Sequence, residues 1–477
     1  MDLGSLERYR DIVDDWSSFA AALAEPLPTC LVTNELRITT DELAARLQRR
    51  GVALRRVPWT DDVLISAERG QVGSRFEYLT GLYNVQEEAA VIPVKILDPQ
   101  PGERILDMCA APGNKTAQIA LAMRNRGTVV ANDRSYQRMR ATRGLLDRFG
   151  LANVCLTIAD AANYPNVMGG FDRVLADVPC SCEGTSRKSP TVLEKAALLD
   201  FETLGKLQRA ILRRAFDLCR PGGRVVYSTC AYSPEENEAV VHAVLQELPY
   251  DVAAVACELP GFQHAPALTS YRGTAFDPRV AASMRVWPHH NDTGGFYVAA
   301  FDKSPEAPAA PPVIARDEAL AVSDTKRWLA PFRRQFGWED LDEWVVHEPN
   351  VKTVWLANSD TTPVPAARRT SVGIGFIRKQ MGDPKPTTTA AMLLGPRATR
   401  GVAELDERQM DAFLRREDVV LRGETAELHD RRGYVLLRCQ GIIAGLGRFR
   451  RDGRTIESLY PGAWALDAMC SAFEGET

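Results

Sequence analysis

The stretch Arg104-Ile-Leu-Asp-Met-Cys-Ala-Ala-Pro-Gly-Asn-Lys-Thr116 reads as a short apolar strand, a turn of small residues and the opening of a helix. That order puts a ligand-receiving loop at the carboxyl end of a strand, where open α/β sheets bind their ligands. The pattern continues downstream. Residues 128–133, 154–160, 173–177 and 223–230 are further short apolar runs, most of them ending in Asp or Cys. Segments long enough for helices separate them, as crossovers between parallel strands require. A doubly wound α/β domain is predicted, with late strands over 285–301 closing the sheet.

Outward from this core the pattern changes. Residues 1–91 mix helical stretches at 5–23 and 40–51 with a strand-like 29–34, a small α+β module. Ser304-Pro-Glu-Ala-Pro-Ala-Ala-Pro-Pro312 can continue neither strand nor helix and reads as a linker. The predicted division is 1–91, a catalytic domain over 92–303, a linker over 304–316, and a β-rich region over 317–477 with β-like runs at 433–437, 441–447 and 455–460.

At 477 residues, 45% hydrophobic and 25% charged, the chain has the composition of a globular protein of two to four domains. Residues 1–16 lack a signal-peptide apolar core, and no apolar run approaches the ~18 residues of a membrane span. The expectation is a cytoplasmic monomer whose ten cysteines are free thiols. A net charge of −4 argues against a uniformly basic nucleic-acid binder. Local basic clusters exist: Arg46, Arg49, Arg50, Arg55 and Arg56, and Arg431, Arg432, Arg438, Arg448, Arg450, Arg451 and Arg454. Either cluster could be a solvated face.

In the loop, Cys109, Ala110, Ala111, Pro112 and Gly113 are small or turn-forming and let a ligand approach the backbone, with Asn114 and Lys115 opening the helix. No glycine stands where a phosphate loop would need one. Asp133 follows 26 residues after Asp107, close to the spacing at which a strand-end carboxylate accepts from ribose hydroxyls. Asp160 ends the third strand and could accept from an adenine amino group. Each could instead cap the following helix. Two thiols, Cys180 in Asp177-Val-Pro-Cys180 and Cys230 in Ser228-Thr-Cys230, end later strands, which points to covalent chemistry on a ligand above the sheet.

Three motifs together resemble the RNA cytosine-5 methyltransferases: Cys109-Ala-Ala-Pro-Gly-Asn-Lys115, Asp177-Val-Pro-Cys-Ser-Cys-Glu-Gly-Thr185, and Tyr227-Ser-Thr-Cys230 followed by Ser233-Pro-Glu-Glu-Asn-Glu238. The resemblance spans about residues 23–303. It implies a class I, Rossmann-like methyltransferase domain and S-adenosylmethionine as methyl donor, held by Cys109 to Lys115, Asp133, Asp160 and Asp177. It also implies that Cys230 attacks cytosine C6 while Cys180 assists proton removal and product release. DNA cytosine methyltransferases attack from a Pro-Cys cysteine, which makes Cys180 the rival nucleophile. A carboxylate such as Asp177 could hold the cytosine amide edge.

Ribosomal RNA is the expected substrate, with transfer RNA the alternative; an idle RNA-binding assembly factor and a methyltransferase of proteins or small molecules are readings of other classes. Arg187 and Lys188 are placed for neighbouring phosphates. The C-terminal region, with Arg448, Arg450 and Arg451, resembles the PUA-like RNA-binding domains of some family members. Cys182 stands where the family has a small residue and is expected to be incidental. No metal is expected, since no second ligand pair stands at zinc spacing. Glu235, Glu236 and Glu238 are explained as a helix start, with Ser233 capping and Pro234 at the first position. His289 and His290 are expected to be structural.

Overall fold

Alternating apolar strands and amphipathic helices between 92 and 303 build a parallel sheet, and the segments before and after pack around it. The computed structural model describes residues 4–66, 72–308, 320, 322–339, 341–365, 368–379, 384–421 and 432–465. Arg431, Cys470 and much of the Pro/Ala stretch lie outside the described residues.

The N-terminal module is a four-stranded antiparallel sheet of β1 (Thr29–Thr33), β2 (Leu54–Arg56), β3 (Val63–Ser66) and β4 (Tyr83–Gln86), in the order β2-β3-β1-β4. The helix expected over 5–23 is divided into a 3₁₀ turn, Gly4–Tyr9, and a helix, Trp16–Ala24. The reason is local: the Asp15 carboxylate accepts from Ser18 N at 3.0 Å and starts a new helix there. Thr39 and Glu42 form a full capping box at the start of the helix Thr40–Arg49.

The central sheet carries five parallel strands, β5 (Arg104–Asp107), β6 (Thr128–Asn132), β7 (Val154–Thr157), β8 (Phe171–Asp177) and β9 (Cys219–Thr229), in the order β9-β8-β5-β6-β7. Alternation within each strand sends Ile105 and Leu106 to opposite faces, where each joins a separate hydrophobic core beneath flanking helices. Strand order reverses on either side of β5, so the loops after β5 and β8 border the crevice that such a switch point creates. Asp177 lies opposite Ser228, which brings the ends of β8 and β9 level. Phe296–Lys303 pairs antiparallel with β9 and closes that side.

At the opposite edge the sheet takes a strand from the C-terminal region: Arg369–Val372 pairs antiparallel with β7. The C-terminal region also holds the strands Tyr434–Cys439, Ile442–Phe449 and Thr455–Ser458 of a five-stranded sheet. This sheet shares a core with the N-terminal module, Leu31, Leu43 and Leu79 meeting Phe413, Val435 and Tyr460. The Tyr460 hydroxyl donates to Leu79 O at 2.8 Å. Cys30, Cys155, Cys219, Cys257 and Cys439 are buried and free. No helix among the described residues is long and apolar enough to cross a membrane.

Candidate active site

The loop after β5 turns sharply because Gly113 adopts φ +105°, and a Cβ there would stand 2.8 Å from the Thr142 methyl. The helix Asn114–Ala122 starts immediately after it. The loop residues Cys109, Ala111 and Pro112 border a cavity of about 430 Å³, together with Lys115, Asp133, Asp160, Asp177, Cys180 and Cys230. A neighbouring cavity of about 390 Å³ reaches the other side of the loop and includes Asn114 and Lys188.

The acidic groups are held in distinct ways. Asp133 accepts from Ala111 N at 3.3 Å and Ser135 N at 2.9 Å, and pairs with Arg138 at 3.2 Å. Asp160 is exposed at the rim and accepts from Ala162 N at 3.2 Å and from the Asn163 amide at 2.5 Å, the capping alternative in short form. Asp177 accepts from Lys115 Nζ at 2.8 Å and Ser228 Oγ at 2.7 Å. Burial opposes the Lys115 charge, but Asp177 outweighs it and raises the ammonium above its usual range. Behind the loop, burial pushes the Asp107 carboxyl up to about 7 while Thr116 Oγ1 donates to it at 2.7 Å.

Cys180 and Cys230 come together: their sulfurs are 3.4 Å apart. Two glycines make this possible. Gly184 N donates to Cys230 O and Gly295 N donates to Gly184 O, each at 2.9 Å; a Cβ on Gly184 would lie 2.2 Å from Gly295 O. The Pro-Cys loop is thus locked directly onto the end of β9.

Two expectations are corrected here, and the place of Cys182 is added to them. The Cys182 sulfur lies 3.9 Å from that of Cys180, and all three thiols lie within 4.8 Å of one another. Spacing along the chain compares neighbouring cysteines and so does not bring in Cys230, which arrives from another strand. Arg187 is not placed for phosphates. Its side chain is fully buried and donates to Glu25 O and Thr293 O at 2.8 Å and to the Asp292 carboxylate at 2.6 Å, clamping the loop to the segments around it. Finally, no capping box forms at Ser233. The helix begins at Glu238, because Glu236 is drawn away to accept from Ser181 N and the Gln208 amide, both at 2.9 Å.

The acidic motif therefore supplies positioning residues that the sequence reading missed. Glu236 fixes the backbone between Cys180 and Cys182, and Asn237 braces the residues flanking Cys230, accepting from Thr229 Oγ1 at 2.5 Å and donating to Ala231 O at 3.0 Å. Glu183 accepts from the Tyr9 hydroxyl at 2.8 Å, tying the first described segment to the loop. The spacing of Ser233-Pro-Glu-Glu suits a cap equally well, so only the competing partner Ser181 decides between the two. Lys188 is exposed beside the second cavity, and Arg448, Arg450 and Arg451 are exposed on the C-terminal sheet and its turn. Arg450 pairs with Asp418 at 2.9 Å. His289 and His290 both direct Nε2 to Asp14, at 3.0 and 2.8 Å, joining the N-terminal segment to the catalytic domain.

The clamp role of Arg187 makes a prediction. Arg187→Ala leaves the buried Thr293 carbonyl unpaired, at about 1–3 kcal/mol before relaxation, and also removes the part-buried bonds to Glu25 O and Asp292. Its melting midpoint should fall by several degrees, while the salt dependence of RNA affinity stays unchanged. A fully stable variant with a shallower salt dependence would return Arg187 to the phosphate-contact role.

The strand order, with its cavity on the carboxyl edge, is that of the class I methyltransferases. A solved methyltransferase homolog from Pyrococcus horikoshii matches with a TM-score of 0.54 and 32% identity, over 64% of this chain and all of the other. Three family models fit in succession: the N-terminal domain of 16S rRNA methyltransferase RsmF over residues 6–88, 16S rRNA methyltransferase RsmB/F over 94–302, and the methyltransferase RsmF PUA domain over 400–466. The ribosomal RNA small subunit methyltransferase F of Shewanella loihica is 30% identical over 480 aligned residues, 97% of this chain and 95% of that protein. The chain belongs to the RsmB/F methyltransferase family. A mouse 28S rRNA (cytosine-C(5))-methyltransferase is 37% identical over 291 residues, and there the match covers 60% of this chain and only 36% of the relative's length.

Proposed function

We propose that the protein transfers a methyl group from S-adenosylmethionine to C5 of a cytosine in small-subunit ribosomal RNA, acting in the cytoplasm as a monomer. The observation that carries this reading is the pair of thiols 3.4 Å apart at the edge of a nucleoside-sized cavity. The cavity suits the donor: Asp133 lies on its wall with a carboxylate able to accept from ribose hydroxyls, Ala111 and Pro112 line it with small side chains, and the carboxylates of Asp160 and Asp177 complement a cation. When bound, S-adenosylmethionine supplies an electrophilic methyl group on a sulfonium centre.

C5 of cytosine is a poor nucleophile, so Cys230 adds to C6 and makes the C5 carbon enamine-like. Asp177, fixed by Lys115 and Ser228, accepts from the cytosine amino group, and the Lys115 ammonium beside it offsets the negative charge that addition puts on the ring. After C5 has gained the methyl group, Cys180 takes the C5 proton, the C5–C6 double bond re-forms and the Cys230 sulfur leaves. Because the target carbon lies inside a stack, the nucleotide must be unstacked or extruded into the cavity. Residues 1–91 and 317–477, with Lys188, Arg448, Arg450 and Arg451, are proposed to hold the surrounding RNA.

The Cys230 thiol is held above its ordinary range: its hydrogen bond with Cys180 lowers it, but the contact with Cys182 and burial together outweigh that effect. Since the thiolate attacks, single-turnover methylation should accelerate as pH rises past neutrality toward and beyond the ordinary cysteine range of about 8.5. A rate already flat from about pH 6 would contradict this.

The reading is tested by incubating purified protein and labelled S-adenosylmethionine with separated small-subunit rRNA, large-subunit rRNA and tRNA. Label that digests to 5-methylcytidine from the first pool is expected. Label in tRNA alone would change the substrate, and no label in any pool despite donor binding would favour the idle assembly factor.

A further inference from the structure

The three-thiol cluster goes beyond what methyl transfer needs, since the two-cysteine chemistry leaves Cys182 unused. Its geometry is that of a metal half-cage. A tetrahedral zinc with Zn–S bonds of about 2.3 Å places its sulfurs about 3.8 Å apart. The observed separations are 3.4 Å for Cys180–Cys230 and 3.9 Å for Cys180–Cys182, with all three sulfurs within 4.8 Å.

The backbone supports the same conclusion. Cys182 has φ +60° and ψ +17°, the left-handed region that glycine occupies freely and a side chain occupies at a cost of about 1 kcal/mol. This turn directs its thiol back over Cys180. The frame is also stiff: Glu236 holds Ser181 N between the two cysteines, and Gly184 bonds the loop to Cys230 O. Arg138 and Lys115 border the same cavity and would offset the surplus negative charge of a tris-thiolate site. The cavity reaches all three sulfurs, which leaves the fourth coordination position to solvent.

We propose that Cys180, Cys182 and Cys230 form a binding site for one thiophilic cation, zinc above all. Soft thiolates select such ions. Each Zn–S bond replaces an S–H bond, the proton passes to buffer, and no electrons are exchanged. A zinc ion seated there occupies the lone pairs of both cysteines assigned to catalysis, so it inhibits methyl transfer reversibly. That consequence rests on the proposed function, whereas the binding does not.

The test uses the full chain, reduced and metal-free. Zinc is titrated against a chromophoric chelator, and cadmium is titrated while following thiolate-to-metal ultraviolet absorption. One equivalent is expected, with three-thiolate intensity. Cys182→Gly suits the left-handed backbone; it should bind zinc at least 100-fold more weakly, lose about a third of the cadmium absorption and give a weaker zinc inhibition relative to its own zinc-free rate. Cys182→Ser, closer in size, should show the same loss. Equal zinc affinity in wild type and both variants, or cadmium binding without thiolate absorption, overturns the site. Tight three-thiolate binding with undiminished methyl transfer upholds the site and instead overturns the catalytic roles of Cys180 and Cys230.

Discussion

Cys230→Ala is expected to abolish methyl transfer, with kcat falling by about four orders of magnitude or more, because the proposed chemistry makes C5 nucleophilic only through addition of the Cys230 thiolate to C6, while Cys180 is assigned to proton removal. Donor affinity should change little. The residues proposed to hold the donor, Asp133, Asp160 and the 109–113 backbone, are fixed by contacts that do not include Cys230. The check is a single-turnover assay with small-subunit rRNA beside equilibrium binding of the donor. Loss of donor binding along with activity would assign Cys230 to the cofactor site, and retained activity would make Cys180 the nucleophile.

Cys180→Ala is expected to behave differently. It should lose about 10²- to 10⁴-fold in turnover, the usual contribution of a positioned base. It should also accumulate protein covalently attached to RNA, because addition and methylation proceed while release does not. The adduct appears as a slowly migrating band on a denaturing gel, dependent on both RNA and donor. The 3.4 Å separation of the two sulfurs underlies this division of labour: both can reach one cytosine ring. If Cys180→Ala turned over normally without an adduct, its role would be confined to packing.

Much of the catalytic domain was legible because β5 to β7 are buried throughout and β8 and β9 for most of their length, so that they read as apolar runs ending in chemistry-bearing residues. β5 spans the residues its apolar run predicted, and β6 to β9 follow their expected runs within a few positions. The turn between β5 and the following helix was legible because a run of small residues ending in Pro112 and Gly113 leaves a plain local mark. Contacts between distant segments were not. Arg187 looks like any exposed arginine until Glu25, Asp292 and Thr293 surround it, and Glu236 resembles a capping residue until Ser181 claims its carboxylate. Cys182 became part of a cluster only because the ends of β8 and β9 are level. The strand Arg369–Val372 illustrates the same limit, since nothing in its composition names β7 as its partner.

The central claim is that Cys230, and not its neighbours, bonds to the RNA base. It is tested most directly by trapping the Cys180→Ala adduct on small-subunit rRNA, digesting protein and RNA, and locating the nucleotide-bearing peptide by mass spectrometry. The account predicts a methylated cytidine attached to the peptide containing Cys230. Attachment at Cys182, or an adduct that forms equally well in the Cys180→Ala/Cys230→Ala double variant, would contradict it.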